Sequence, residues 1–279
     1  MRAILAAIAF ALAACGVGGG PSASGPITPA PALRSDLLFG YYYSNSSTVN
    51  ETFRHVNLHW ASDEFGISEQ MAGLAQARAN GQLVVVQMPV YNAPLQDREA
   101  FVRYWLGTLR NAGLLWSGIV AVYPTDEPDV WGKSDAEVVA TNAAVRRALA
   151  DFHEIDPAVA VFYACASGQR PGLATYDWIG CDDYGVGCRV VGPSGAYDDL
   201  LRVMTPAQRL VAIPGGADPW RQDPACFAAY AHREPRVVAL VGFLWQSISP
   251  MVGIRVNGLK PLYCETGAII VGANPMEVC

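Results

Sequence analysis

The feature that most constrains the fold is a series of short runs rich in β-branched and aromatic residues, which recur from Leu37 onward. Runs such as LVVVQMPV and VVALVGFLW are almost continuously apolar, which is typical of parallel strands covered on both faces. Their spacing leaves room for helices and indicates repeated β/α units. The predicted strands cover residues 37–43, 55–60, 83–91, 118–123, 159–164, 178–182, 210–214 and 237–245.

Eight such units in about 245 residues match the usual size of a (β/α)8 barrel, whose active site lies at the C-terminal ends of the strands. Helices are predicted over residues 68–80, 97–112, 134–152, 196–204 and 223–232, whereas 167–177 is too short for a full helix. A doubly wound sheet is the alternative, but neither G-x-G-x-x-G nor G-x-x-x-x-G-K-[ST] is present. We therefore predict one α/β domain, a TIM barrel, over residues 36–279.

The first 35 residues differ from the rest in composition. Met1-Arg2 precedes an uncharged apolar stretch, and Leu12-Ala13-Ala14-Cys15 then places small residues before a cysteine. These four residues resemble a bacterial lipobox, in which the cysteine is acylated. The resemblance implies a lipoprotein signal peptide over 1–14, lipidation of Cys15 and a Gly/Pro/Ser-rich tether over 15–35. Membrane contact would then be through the lipid anchor only; an ordinary secretory peptide cut a few residues later is the alternative.

The other cysteines agree with export. Beyond Cys15 there are six, an even number that suggests disulfides in an oxidising compartment. Cys264 with Cys279 is the favoured pair, because it would hold the C-terminus in place. Zinc is the competing interpretation, but no Cys-x-x-Cys pair exists and the histidines lie far from the cysteines in sequence. We expect no metal and no cofactor.

The charge of the chain argues against a polyanionic partner. The formal net charge is -6, and Lys133 and Lys260 are the only lysines. Neither belongs to a basic run, whereas proteins that bind nucleic acid concentrate cations on one face. We expect a monomer that does not bind nucleic acid.

Carboxylates, amides and aromatic side chains dominate the predicted strand ends. Aromatic faces cover the apolar C–H patches of sugar rings, and amides and carboxylates bind the hydroxyls. An anionic metabolite would instead require arginine or a helix N-terminus. We therefore predict a carbohydrate substrate. The candidate binding residues are Asn57, His59, Trp60, Gln87, Tyr91, Tyr163, Asp183, Tyr184, Trp220 and Trp245.

Glu127 is the candidate catalytic acid. It follows the fourth predicted strand in the sequence Asp126-Glu127-Pro128. Desolvation there would raise the pKa of its carboxyl group and allow it to protonate a glycosidic oxygen. The alternative is that Asp126 and Glu127 only cap the next segment, since Asp-Glu-Pro is a common composition at helix starts.

At this point the chain resembles the (β/α)8 glycoside hydrolases of the large clan A. In that clan strand four ends in Asn-Glu, often followed by Pro, with the glutamate as acid/base, and Asp126-Glu127-Pro128 lies at the matching place. Trp245 matches the sugar-stacking tryptophan after strand eight. The clan also places a glutamate nucleophile at the end of strand seven, but that strand reads RLVAIPGGADP here and contains no glutamate.

Three interpretations are compatible with the absence of a glutamate at the end of strand seven. Asp182 or Asp183 could activate water as the base of an inverting pair, and strand alternation lets only one of them face the site, for which we favour Asp182. Alternatively, these aspartates bind loop N–H groups near Gly185. Asp126-Glu127 also resembles the pair of the substrate-assisted N-acetylhexosaminidases, which would make Asp126 the residue that orients the acetamido group. The third possibility is a carbohydrate-binding or scaffold lipoprotein without catalysis.

Overall fold

A computed structural model describes residues 34–184, 187–192 and 195–279, so the predicted signal peptide, Cys15 and almost all of the tether lie outside the described residues. Eight parallel strands form one sheet in the order β1-β8-β7-β6-β5-β4-β3-β2, and the TIM-barrel prediction is confirmed. The strands are β1 (Leu38–Tyr41), β2 (Leu58–Ala61), β3 (Leu83–Gln87), β4 (Ile119–Asp126), β5 (Ala158–Ala164), β6 (Trp178–Asp182), β7 (Arg209–Ala212) and β8 (Val237–Gly242).

The helices pack around this barrel. All five predicted helices are present, and the β5–β6 connection contains only short 3-10 turns, as its length predicted. The sequence interpretation missed the helices after β1 and β8; the first, SSTVNET, is polar and lacks apolar periodicity. The α-helices are α1 (Ser46–Thr52), α2 (Ile67–Ala79), α3 (Arg98–Asn111), α4 (Asp135–Leu149), α5 (Ala196–Val203), α6 (Pro224–Arg233), α7 (Lys260–Val271) and α8 (Pro275–Val278).

The barrel closes where β1 meets β2. A side chain at Gly40 would place its Cβ 2.3 Å from the carbonyl oxygen of Leu58, so only glycine permits this approach. Asn57 precedes β2 and accepts a hydrogen bond from the Phe39 N–H at 2.7 Å, while its amide donates to the Leu37 carbonyl at 3.2 Å. Asn57 thus closes the N-terminal end of the barrel, and the expectation that it faces the C-terminal end was wrong.

Alternation along the strands separates two packed layers. Inward-facing residues of all eight strands form the buried interior of the barrel, and the residues between them pack beneath the helices. Near the C-terminal face the interior is aromatic: the Trp60 ring lies 4.9 Å from that of Tyr123 and 4.8 Å from that of Phe162. We call these three residues, together with Tyr42, the aromatic floor.

Six cysteines form three disulfides, which confirms the even-number prediction. Cys264 pairs with Cys279 as expected and fastens α8 to α7. The other two pairs are Cys165–Cys181, at the ends of β5 and β6, and Cys188–Cys226. Disulfides of this kind persist in oxidising compartments and indicate a secreted or extracellular protein. Among the described helices, none combines the length and apolar character needed to cross a membrane.

Candidate active site

The C-terminal end of β4 contains a β-bulge, which determines the side of the sheet that its last residues face. In the β4–β5 register, Val122 pairs with Val159 and Thr125 with Val161, so β4 has one residue more than β5 between these pairs. Such a bulge shifts the alternation of the strand. Tyr123 faces the interior in regular alternation with Ala121, and the extra residue brings Asp126 to the same side, where its carboxylate accepts a hydrogen bond from the Tyr123 hydroxyl.

Asp126 is held in this position by two phenols. Its second carboxylate oxygen accepts a hydrogen bond from the Tyr42 hydroxyl at 3.0 Å. Burial raises the pKa of Asp126, while the hydrogen bonds from Tyr123 and Tyr42 lower it in opposition. Both carboxylate oxygens therefore already have a protein donor.

Glu127 follows immediately in a left-handed backbone conformation with φ +41°. This conformation costs a non-glycine residue on the order of 1 kcal/mol and needs surrounding contacts to persist. Those contacts are the Glu127 N–H bond to the Phe162 carbonyl at 3.0 Å and the bonds from the Val130 and Trp131 N–H groups to the Glu127 carbonyl, at 3.0 and 3.1 Å. The turn leaves the Glu127 carboxyl group close enough to Asp126, Asp182 and Asp129 for their charges to affect its pKa.

The environment of Glu127 favours its neutral form. Burial is the largest effect and, together with the carboxylates of Asp126, Asp182 and Asp129, raises the pKa of Glu127 to about 9. No arginine, lysine or hydrogen-bond donor of the described residues pairs with its carboxyl group. Glu127 is therefore protonated at neutral pH and able to donate that proton.

Asp182 faces the same region from the end of β6. Gly180 packs against the interior residues Phe162 and Ile213, and alternation sends Asp182 to the same side as Gly180. Cys181 points the other way, into its disulfide. Burial raises the pKa of Asp182 well above its usual value, and the charge of Asp126 adds to the effect.

The end of β7 contributes no acid. A Cβ at Gly215 would lie 2.6 Å from a ring carbon of Tyr184, so the tyrosine occupies the space that a side chain would need there. The Tyr184 ring stacks on Phe243 with centroids 4.8 Å apart and lies 4.8 Å from Trp220. We call Tyr184, Phe243 and Trp220 the aromatic wall.

A cleft of about 290 Å³ opens between the ends of β3 and β4. Gln87 and Tyr91, both predicted as binding residues, line it, and Gln87 continues the inward-facing side of β3 after Val85. Sequence reasoning missed Trp131 and Lys133, because both follow the strand rather than ending it. The β3–β4 cleft is lined by Gln87, Tyr91, Tyr123, Asp126, Trp131 and Lys133, among others.

Three predicted binding residues point into the outer layer instead, which corrects those predictions. His59 contacts Ser44 through Nδ1 at 3.2 Å, and burial lowers the pKa of its ring to about 3. The Tyr163 hydroxyl donates to the Pro171 carbonyl at 2.8 Å, and Trp245 is fully buried. All three belong to the layer between strands and helices. Alternation from Trp60 and Phe162, the inward-facing neighbours of His59 and Tyr163, identifies the error at those two positions. Trp245 lies beyond the end of β8 at Gly242, where strand alternation no longer applies.

Asp129 supports the site although the sequence analysis did not name it. Asp129 is buried and accepts hydrogen bonds from the Ala164 N–H at 3.1 Å and from the Ser167 hydroxyl. It thereby ties the turn after Glu127 to the end of β5. Of the remaining predicted residues, Asp183 lies beside Asp182 and accepts a hydrogen bond at its backbone carbonyl from the amide of Gln222 at 2.9 Å.

No protein-family model matches the chain, and no curated protein matches it in sequence. Solved structures do match in fold. An endo-1,4-β-xylanase from Penicillium canescens shares 9% identity over 87% of this chain and 96% of its own, with a TM-score of 0.56. An active-site mutant of a Rhizomucor miehei β-1,3-glucanosyltransferase in complex with laminaritriose shares 12% identity, with 74% and 86% coverage and a TM-score of 0.53.

Similarity at this level of identity concerns the fold. The chain has the (β/α)8 barrel fold that it shares with these solved structures, with buried carboxyl groups at the C-terminal ends of β4 and β6.

Proposed function

We propose that this protein is an exported glycoside hydrolase that acts on a poly- or oligosaccharide, with Glu127 as the general acid. The observation that carries the proposal is the carboxyl group of Glu127, buried and uncompensated by any cation of the described residues, with a pKa of about 9. A neutral carboxyl group above an aromatic floor is suited to protonate the oxygen of a glycosidic bond.

The second carboxyl group of the proposed mechanism is Asp182. Asp126 accepts hydrogen bonds on both oxygens, whereas Asp182 Oδ1 is buried and has no partner among the described residues. In an inverting reaction Asp182 takes a proton from water, the water oxygen bonds to the anomeric carbon, and the bond from that carbon to the leaving oxygen breaks. Glu127 gives its proton to the leaving oxygen, which balances the step.

Burial raises the pKa of both groups, and the charge of Asp182 adds to the shift at Glu127, so an ionised Asp182 favours a protonated Glu127. The pair therefore retains a proton over a wide pH range and titrates as a unit. With Asp182 ionised and Glu127 protonated, the base and the acid are present at the same time.

Replacement of Glu127 tests the proposal directly. The purified protein and Glu127→Gln are incubated with a panel of polysaccharides, and released reducing sugar is measured. Loss of about 10²- to 10⁴-fold in rate is expected, since this is the usual contribution of a general acid. Glu154→Gln is the matched control, because Glu154 is an exposed carboxylate paired with Arg110. Equal release by wild type and Glu127→Gln would contradict the assignment of Glu127.

The second candidate function is carbohydrate binding without turnover. The observation that favours it is the β7 end, where Gly215 and Tyr184 leave no space for the carboxylate of a retaining pair. The same panel distinguishes the two functions: retention of glycan by both proteins, with no sugar released by either, would establish the binding protein.

We propose in addition that the exported chain is held at the bacterial envelope by a lipid on Cys15. The lipobox-like residues before Cys15 and the disulfides of the folded domain support this proposal. Expression in a bacterial host with an alkyne fatty acid should label the wild type and not Cys15→Ser. Equal labelling, or recovery of both proteins in the soluble fraction, would contradict it.

A further inference from the structure

The β3–β4 cleft contains a polar group that the fold leaves without a partner. Gln87 is only 8% exposed, and its Oε1 makes no hydrogen bond within the described part of the chain. Its backbone is fixed, because the Gln87 carbonyl accepts a hydrogen bond from the amide of Gln70 at 2.7 Å. A buried amide without a partner is unfavourable, and a bound polar group in the cleft would satisfy it.

One wall of the cleft is an exposed indole on a rigid turn. Trp131 is 40% exposed, although large aromatic side chains usually bury most of their surface. The backbone N–H of Trp131 donates to the carbonyl of Glu127, so Trp131 and the proposed acid belong to the same hydrogen-bonded turn. A ligand stacked on Trp131 would therefore lie at a defined position relative to Glu127.

The opposite wall is a clamped phenol ring. The Tyr91 ring has the Arg98 guanidinium 4.1 Å and the Lys133 ammonium 4.9 Å from its centroid. Arg98 is itself anchored by Glu137 at 2.8 Å. The ring is thus held in place by cation–π contacts and gives the cleft a fixed wall.

The charges of the lining select against ionic ligands. Asp126 and Lys133 both line the cleft, so a ligand carrying either sign would face one group of like charge. The volume of about 290 Å³ is at the small end of ligand sites, which run from roughly 300 to 1,000 Å³. It accommodates a single sugar ring rather than a chain.

From these observations we infer that the β3–β4 cleft is the binding subsite for one uncharged pyranose ring of the substrate, stacked on Trp131 and hydrogen-bonded to Gln87. The inference rests on the proposed function for the identity of the reaction, but it makes a separate statement about substrate class. Polymers of neutral sugars should bind, whereas polymers of uronic acids or of glucosamine should not.

Binding measurements on Glu127→Gln test this inference, because that variant cannot consume the ligand by the proposed mechanism. The probes are the neutral trisaccharides laminaritriose and xylotriose, together with trigalacturonate and the glucosamine trimer. In titration calorimetry at least one neutral trisaccharide should bind about tenfold more tightly than either charged trimer. Adding Trp131→Ala or Gln87→Leu should weaken that binding by about tenfold, and Trp131→Phe should restore most of it.

Tyr104→Ala is the matched control, because Tyr104 is a 72% exposed aromatic residue on α3 outside the cleft. It should change the affinity by less than about twofold. Unchanged affinity in Trp131→Ala and Gln87→Leu, preferred binding of a charged trimer, or no binding of any neutral trisaccharide would each overturn the inference. The polysaccharide assay of Glu127 does not depend on these binding results. If the subsite inference failed, sugar release that depends on Glu127 would still support the proposed function.

Discussion

The C-terminal ends of β4 and β7 lie on the same face of the barrel, yet they are built in opposite ways. At β4 a bulge and a left-handed turn bring Asp126 and Glu127 toward the interior and fix both backbones by hydrogen bonds. At β7 a glycine is covered by the ring of Tyr184. The comparison shows that this barrel has buried acids at the ends of β4 and β6 and an aromatic wall at the end of β7.

The difference has an electrostatic reason. Burial raises the pKa of Asp126, Glu127 and Asp182, and the charge of Asp126 adds to the shifts of the other two. A further carboxylate at β7 would add to this repulsion in a region with little solvent. An apolar wall instead gives a sugar ring a surface on which to stack, at no electrostatic cost.

The largest expected effect tests whether the acids of β4 and β6 act together. Asp182→Asn should lower kcat/KM for polysaccharide hydrolysis by about 10²- to 10⁴-fold, because the proposed base is lost. Asp183→Asn, the adjacent residue, should change it by only a few-fold and serves as the control. The measurement is the rate of reducing-sugar release. A larger loss in Asp183→Asn would show that the pair is assigned incorrectly.

The second prediction concerns the protonation of Glu127, which follows β4. Since Glu127 must be protonated to act, kcat/KM should fall about tenfold per pH unit above a pKa near 9. Because the folded state raises this pKa from 4.5 to about 9, it favours the protonated form; the free energy of unfolding should therefore fall as pH rises between these values.

Urea denaturation between pH 5 and pH 10 measures this dependence, and Glu127→Gln should flatten it and be the more stable protein at high pH. Parallel pH profiles for the two proteins would contradict the raised pKa of Glu127.

A third prediction concerns the packing at β7. Gly215→Ala should reduce the free energy of unfolding by about 1–3 kcal/mol, because the new Cβ overlaps the ring of Tyr184. Gly107→Ala is the control: Gly107 lies in α3 with open space around its Cβ position, and there alanine should stabilise by about 0.5–1 kcal/mol. Denaturant unfolding compares the two. Equal stability of both variants would mean that Tyr184 does not fill the β7 end.

The prediction with the smallest expected effect concerns the hydrogen bonds that Asp126 accepts from two tyrosines. Tyr42→Phe removes one of its two donors while keeping the ring in the aromatic floor, and should cost about 0.5–1.5 kcal/mol of stability at pH 7. Tyr104→Phe, on the exposed surface, should be neutral. Thermal unfolding with both variants checks the difference, and a neutral Tyr42→Phe would show that Asp126 does not depend on this hydroxyl.

Element type was more predictable from the sequence than side-chain direction. All eight strands and five helices were found, because continuous apolar runs and helical periodicity are local properties. The predicted strands were too long at several C-terminal ends, as in β3, which ends at Gln87. When a residue beyond the true end of a strand is counted as part of that strand, alternation assigns its side chain to the wrong side of the sheet.

The candidate site was predictable only in part for the same reason. Glu127 and Asp182 were found from their positions at strand ends. His59 was included for its place at a predicted strand end and Trp245 also for its match to a sugar-stacking tryptophan, but both lie in the outer layer. The bulge in β4, which makes Tyr123 a donor to Asp126, changes the alternation without leaving a local sequence signal. Trp131 reaches the cleft through a turn that the sequence pattern does not describe.

The amino-acid sequence by itself determined the succession of β/α units, the residue types available at the strand ends and the even number of cysteines. These depend on composition and on periodicities of a few residues. Only the tertiary structure decided which side chains share a space: the bulge, the left-handed turn at Glu127 and the ring of Tyr184 over Gly215. Each of these arises from contacts between residues distant in the chain, and such contacts determine the burial that raises the pKa of an acid.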